Sequence, residues 1–150
     1  MKTRLFIMMC VLFAAVSLNA QNRFDKIAEM EGVTSVYVSP KMFNMMKDSS
    51  STGDINIDKV AGKLTGLHIL SSENEKASSL LRKETEFINS ANGYEELLRV
   101  KDKEERMYIY MKEGSKTNEY ILLVDEGKEF TLILLEGKLT VEEVRGIVNQ

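Results

Sequence analysis

Cysteine is almost absent from this chain. The only one, Cys10, lies in the apolar run from Leu5 to Val16 near the start of the sequence. This run has the character of a signal peptide, and its removal leaves a mature chain without any thiol. Disulfide bonds, thiolate catalysis and cysteine-based metal sites are therefore excluded. No small residue precedes Cys10 and it is not at the expected cleavage point, so we expect no lipid anchor.

Histidine is equally scarce, because His68 is the only one. Its neighbours Leu67 and Ile69 are apolar, so we interpret it as a structural residue. No serine lies in a Gly-x-Ser-x-Gly elbow, and the motifs of zinc proteases, phosphate-binding loops and EF-hands are missing. We predict that the chain is not an enzyme and that it has no catalytic residues, no metal site and no cofactor.

A basic stripe is also missing. The formal net charge is −3, the isoelectric point is near 5.3, and acidic and basic residues are interspersed. Nothing in this pattern would neutralise phosphates, so nucleic acid is not an expected partner. The sequence contains no internal repeat or low-complexity tract, and its length of 150 residues indicates one folded domain.

The N-terminal segment predicts export. Lys2 and Arg4 precede the apolar run, which is shorter than the roughly 20 residues that a membrane-spanning helix needs. Ala20 supplies a small residue for cleavage. We therefore predict a signal peptide over residues 1–20 and a single α+β domain over 21–150. The protein would be periplasmic, in the cell envelope or extracellular, with no stable membrane span after cleavage.

The stretch from Arg106 to Glu136 is the most informative part of the mature chain. Three runs rich in β-branched, aromatic and leucine residues are separated by short turns that contain glycine: RMYIYMKEG, EYILLVDEG and KEFTLILLEG. This pattern predicts a β-meander. Further strands are predicted over 33–38, 67–70 and 94–101, and helices over 23–31, 40–47, 57–64, 77–88 and from 141 onwards. Ser39 is the expected N-cap of the second helix, and Ser72 with Glu75 and Thr140 with Glu143 fit capping boxes.

The predicted fold class is α+β, with several amphipathic helices on a mostly antiparallel sheet. Parallel pairing stays open for the first two strands, because helical segments follow each of them. In the first run of the meander, Met107 and Ile109 point to one side, and Tyr108 and Tyr110 to the other. Both sides of the meander are apolar. Either helices cover both faces, or one face binds a partner or a second copy.

Methionine is concentrated in one predicted helix, where Met42, Met45 and Met46 flank Phe43. Thioethers are soft ligands that suit Cu(I), which is one hypothesis for this stripe. We favour an adaptable core or interaction face instead. The candidate partner-binding residues are Tyr108, Tyr110, Met42, Met45 and Met46.

Four stretches in this order resemble the family called domain of unknown function 4252: VTSVYVSPKMFNMM, GLHILSSENEKA, YEELLRVKDKEERMYIYMK and EYILLVDEGKEFTLILLEGKLT. The resemblance extends from about Arg23 to Val148. It implies a small exported protein with a signal peptide, typical of Bacteroidetes, in the cell envelope or secreted. It implies no activity and offers no catalytic residues.

We therefore expect an exported module that binds another envelope protein or itself. The alternatives are a small-ligand protein, a Cu(I) protein that uses the methionine helix, or an unrecognised enzyme. An enzyme would have a concave pocket with convergent polar groups and perturbed titrating residues, whereas a protein-binding module would have a flat apolar patch.

Overall fold

The computed structural model describes residues 19–46, 60 and 62–148. Its strands form one six-stranded sheet of order β1-β2-β6-β5-β4-β3, in which every neighbouring pair is antiparallel. The α+β class is therefore confirmed, whereas the parallel pairing that the sequence left open does not occur. The strands are β1 (Val33–Val38), β2 (Leu64–Ser72), β3 (Glu95–Asp102), β4 (Glu105–Lys112), β5 (Asn118–Asp125) and β6 (Phe130–Gly137).

Within the described ranges, four α-helices accompany the sheet: α1 (Asn19–Ala28), α2 (Pro40–Met46), α3 (Glu75–Glu84) and α4 (Val141–Val148). Two of them begin as predicted. The Ser39 hydroxyl accepts the Met42 N–H at 3.2 Å at the start of α2. Before α4, the Thr140 N–H donates to the Glu143 carboxylate at 2.9 Å and the Glu143 N–H donates to the Thr140 hydroxyl at 3.3 Å, which is a capping box.

The predicted helix over 77–88 is too long. Helix α3 ends at Glu84, where the Thr85 hydroxyl donates to the Arg82 carbonyl at 2.8 Å and the chain turns away. Its N-cap is Asn74, whose side chain accepts the Ala77 N–H at 2.9 Å. The predicted cap, Ser72, is instead the last residue of β2.

The predicted helix over 57–64 is wrong at its end, because Leu64 already belongs to β2. A strand is favoured here because β2 runs between β1 and β6 and alternates buried and half-buried side chains along its whole length. Residues 57–59 and 61 of this predicted helix lie outside the described part of the chain.

Helices of the same chain lie on both faces of the sheet. On the first face, α1 and α3 contribute Phe24, Ile27 and Leu81 to a core that contains Leu70 and Leu132. On the second face, α2 and α4 contribute Phe43 and Val144 to a core with Val60, Ile109, Tyr120, Leu122 and Leu135. The two-sided apolar pattern of the meander is therefore explained largely by the protein's own helices.

A bidentate ion pair ties α3 to the sheet. The Arg82 guanidinium donates from Nε to Asp125 Oδ2 at 2.9 Å and from Nη2 to Oδ1 at 2.6 Å. This pairing holds the pKa of Asp125 below its usual value. The described helices include none that is both long enough and apolar enough to cross a bilayer.

Candidate functional site

A cavity of about 540 Å³ lies between α1 and the first face of the sheet. Helix α1 forms one wall, and β1, β2 and β6 form the floor. Apolar side chains make up part of the lining: Phe24, Ala28 and Leu134. The polar lining residues come from all four elements and converge on the same space: Asp25, Glu29, Ser35, Tyr37, His68 and Glu136.

His68 is buried in the floor of this cavity. The alternation of β2 turns it to the same face as Leu70, and the register of β1 and β2 places it opposite Tyr37. Its Nε2 lies 3.0 Å from the Ser35 hydroxyl oxygen, and its ring meets the Tyr37 ring edge-on at 5.6 Å. Burial lowers the pKa of His68, against the opposing charge of Asp25, and therefore favours the neutral imidazole.

Ser35 and His68 have the separation of a nucleophile and its base. A catalytic triad also needs a third group that orients the imidazole through its other nitrogen. Among the described residues, no carboxylate hydrogen-bonds His68. The pair therefore supports hydrogen bonding to a ligand better than it supports nucleophilic catalysis.

Glu136 brings an unusual carboxylate to the cavity. Burial raises the pKa of this half-buried side chain, and the charge of Glu119, its neighbour across β5 and β6, raises it further. Glu119 itself accepts a hydrogen bond from the Tyr94 hydroxyl at 2.6 Å. Gly66 leaves the necessary room, since a Cβ at this position would lie 2.9 Å from Glu136 Oε2.

The cavity is acidic. Three of its lining residues carry carboxylates, whereas no lysine or arginine is among the lining residues that the structure describes. The same described residues contain no group of three histidine, cysteine, aspartate or glutamate side chains placed to hold a metal ion. The electrostatics therefore favour a cation, and the geometry does not favour a coordinated metal.

The two edges of the sheet differ sharply. Strand β3 carries charges at Glu95, Glu96, Arg99, Lys101 and Asp102 and has an irregular register between Glu96 and Leu98. Both features protect an edge against pairing with another chain. Strand β1, with the sequence VTSVYV, has no charge, and its residues Val36 and Tyr37 are exposed.

A family model described as a domain of unknown function, DUF4252, matches residues 24–147. The chain belongs to the DUF4252 family. This confirms the resemblance seen in the sequence. The matched range begins in α1 and ends in α4, so the cavity and both edges of the sheet lie inside the DUF4252 domain. No curated protein and no solved structure matches the chain.

The partner-binding residues predicted for this DUF4252 domain fall on opposite faces of the sheet. Tyr108 and Tyr110 lie half-buried against the first-face core, with their rings stacked at 6.2 Å and the Arg99 guanidinium 5.6 Å from the Tyr108 ring. Met42 and Met45 are exposed on α2, which packs on the second face through Phe43. Met46 ends α2, and its side chain lies outside the described part of the structure.

The structure therefore offers no single surface that joins the tyrosines to the methionines. The cavity residues were missed because their partners come from distant parts of the DUF4252 sequence: Ser35 and His68 lie 33 positions apart. The sequence contained only local indications of the cavity. Asp25 and Glu29 lie four residues apart, as neighbours on a helix do, and His68 lies two residues from Leu70, on the same face of a strand.

Proposed function

We propose that this DUF4252 protein is an exported, non-catalytic module that associates with a second copy of itself through the free edge of β1. One observation carries the proposal, namely the contrast between the uncharged edge β1 and the charged edge β3. The leader-like segment over residues 1–20 supports export.

An edge strand presents unpaired backbone N–H and C=O groups that accept another strand. Within the described residues, β1 pairs only with β2, and no described strand pairs with its other side. All six residues of β1 are uncharged and none is proline, so neither repulsion nor a missing N–H opposes pairing.

A second copy is the occupant that suits this edge best. A two-fold axis through Val36 pairs two β1 strands antiparallel, sets Val36 against its own copy and brings no like charges together. Strand β3, with five charged residues among eight, does not offer such an interface. Pairing at β1 would extend the sheet continuously through both copies.

Substitution of Val36 by lysine tests this interface, and Val100 provides a matched control. Val36 is 48% exposed on β1, and Val100 is 43% exposed on β3. We expect residues 21–150 to form a dimer by light scattering, Val36→Lys to weaken the dimer by about tenfold or more, and Val100→Lys to leave it unchanged. A strictly monomeric wild type at high concentration would remove the homodimer.

Cysteine cross-linking then locates the contact, because residues 21–150 contain no native thiol. Under mild oxidation, Val36→Cys should give a covalent dimer and Val100→Cys should not. A dimer that survives Val36→Lys and forms no disulfide at position 36 has its interface elsewhere, which would overturn the role of β1.

Export is tested separately from association. Expressed with residues 1–20 in a Gram-negative bacterium, the protein is expected outside the cytoplasm, with a new N-terminus at Gln21 by N-terminal sequencing. The chain without residues 1–20 should stay in the cytoplasm. Retention of the full chain in the cytoplasm with an uncleaved leader would contradict export.

A further inference from the structure

We propose that the cavity beneath α1 binds a small organic cation, with an amine or guanidinium group on an apolar body. The cavity is the one lined by Asp25, Glu29, Ser35, His68 and Glu136, and its site is distinct from the outer edge of β1. Its volume of about 540 Å³ lies within the range of small-molecule sites.

The lining contains two kinds of surface that suit such a ligand, an apolar wall and an aromatic ring. Phe24, Ala28 and Leu134 provide an apolar wall that removes a hydrocarbon body from water. The exposed Tyr37 ring, which also lines the cavity, offers a face to a cation. A purely inorganic ion would make no use of these surfaces.

The charge of the lining determines whether a positively or a negatively charged ligand is favoured. Asp25, Glu29 and Glu136 contribute carboxylates, no lysine or arginine lies among the described lining residues, and burial disfavours the charged form of His68. An anion would therefore meet uncompensated repulsion, whereas an ammonium group would donate charge-assisted hydrogen bonds to these carboxylates.

The arrangement of hydrogen-bond donors and acceptors favours an organic cation over a metal ion. The described residues provide no group of three ligands that could coordinate a metal. The Ser35 hydroxyl and the His68 ring, which lie 3.0 Å apart, form instead a hydrogen-bonding pair at the cavity wall. An ammonium or guanidinium group makes directional hydrogen bonds to such oxygen and nitrogen atoms without needing a coordination shell.

Glu136 is the carboxylate with the most to gain from a bound cation. It is half-buried beside a second carboxylate, that of Glu119. Because Gly66 has no Cβ, the Glu136 side chain can lie over the cavity floor. A positive group in the cavity offsets the unfavourable combination of burial and like charge. Glu136 is therefore the residue at which a substitution is most informative.

Benzylamine, benzyl alcohol and benzoate form a matched set of probes, because they share a ring and differ in charge. In isothermal titration calorimetry with residues 21–150 at pH 7, we expect benzylammonium to bind at least about tenfold more tightly than the alcohol or the benzoate. Glu136→Gln should weaken benzylammonium by about tenfold, whereas Glu113→Gln, at an exposed loop position, should not change it.

The pH dependence provides a second readout. Because the pKa of Glu136 is raised, this carboxylate takes up a proton at a higher pH than an ordinary glutamate. Affinity for benzylammonium should therefore be full above the raised pKa and fall as the pH drops through it. Asp25, Glu29, His68 and Glu119 face the same region, so Glu136→Gln should remove only the portion of the pH dependence that belongs to Glu136.

Equal affinity for the three probes would overturn the proposal, and so would an unchanged affinity in a folded Glu136→Gln variant. Thermal unfolding monitored by circular dichroism verifies that the variant is folded. The outcome does not depend on dimerisation, because the monomeric Val36→Lys variant should still bind benzylammonium. Loss of binding in that variant alone would show that the site needs the paired edge, which would contradict a cavity complete within one chain.

Discussion

Replacement of Leu81 by alanine is expected to lower the free energy of unfolding by about 3 kcal/mol. Leu81 is 0% exposed on α3 and belongs to the first-face core together with Leu70 and Leu132. Its truncation removes buried methyl groups and leaves a cavity that the surrounding strands fill only in part. Urea denaturation of residues 21–150, followed by circular dichroism, measures the change.

The preceding residue supplies the control. Leu80 is 41% exposed on the same helix, so Leu80→Ala should change the free energy of unfolding by less than about 0.5 kcal/mol. The two variants have the same chemistry and helix propensity, and they differ only in the burial of the side chain. Equal losses in both variants would contradict the orientation of α3.

Replacement of Phe43 by alanine is expected to cost about 3–4 kcal/mol of unfolding free energy. Phe43 is 2% exposed and anchors the short helix α2 in the second-face core. A helix of seven residues has little stability of its own, so its position depends on this contact. The same urea titration measures the loss.

Met42→Ala is the matched control for Phe43→Ala. Met42 is the preceding residue and is 50% exposed, so we expect its truncation to change the free energy of unfolding by less than about 0.5 kcal/mol. This outcome would agree with a methionine that is available to a partner. A loss as large as that of Phe43→Ala would instead assign Met42 to the core.

Local patterns in the sequence predicted the parts of the fold that depend on local interactions. The runs of β-branched, aromatic and leucine residues between glycine-bearing turns from Arg106 to Glu136 predicted the meander, because such runs favour strands and such turns favour hairpins. The capping box before α4 was predicted for the same reason, since it involves only Thr140 and Glu143. The apolar stripe predicted for α3 was extended too far, because Phe87 and Ile88 pack on the same core from beyond the helix end.

The cavity depends on pairings that local patterns do not specify. Ser35 meets His68 only because β1 and β2 pair in one particular register, and Glu136 joins them only because β6 lies next to β2. A shift of one residue in either pairing would turn these side chains to the other face. The charge contrast between β1 and β3 was visible in the sequence, but it became informative only once both strands were found at the edges.

The central position of β6 has a consequence for how the protein is made. This strand is the last to be synthesised, yet it lies between β2 and β5 and pairs with both. Strands β1 and β2 therefore cannot pair with the rest of the sheet until residues beyond Phe130 have left the ribosome. Contacts between such distant segments form slowly, because a long loop must close first. The order of the strands thus delays completion of the sheet until its last strand has been made, which would suit the proposed export, because an exported chain crosses the translocation channel before it folds.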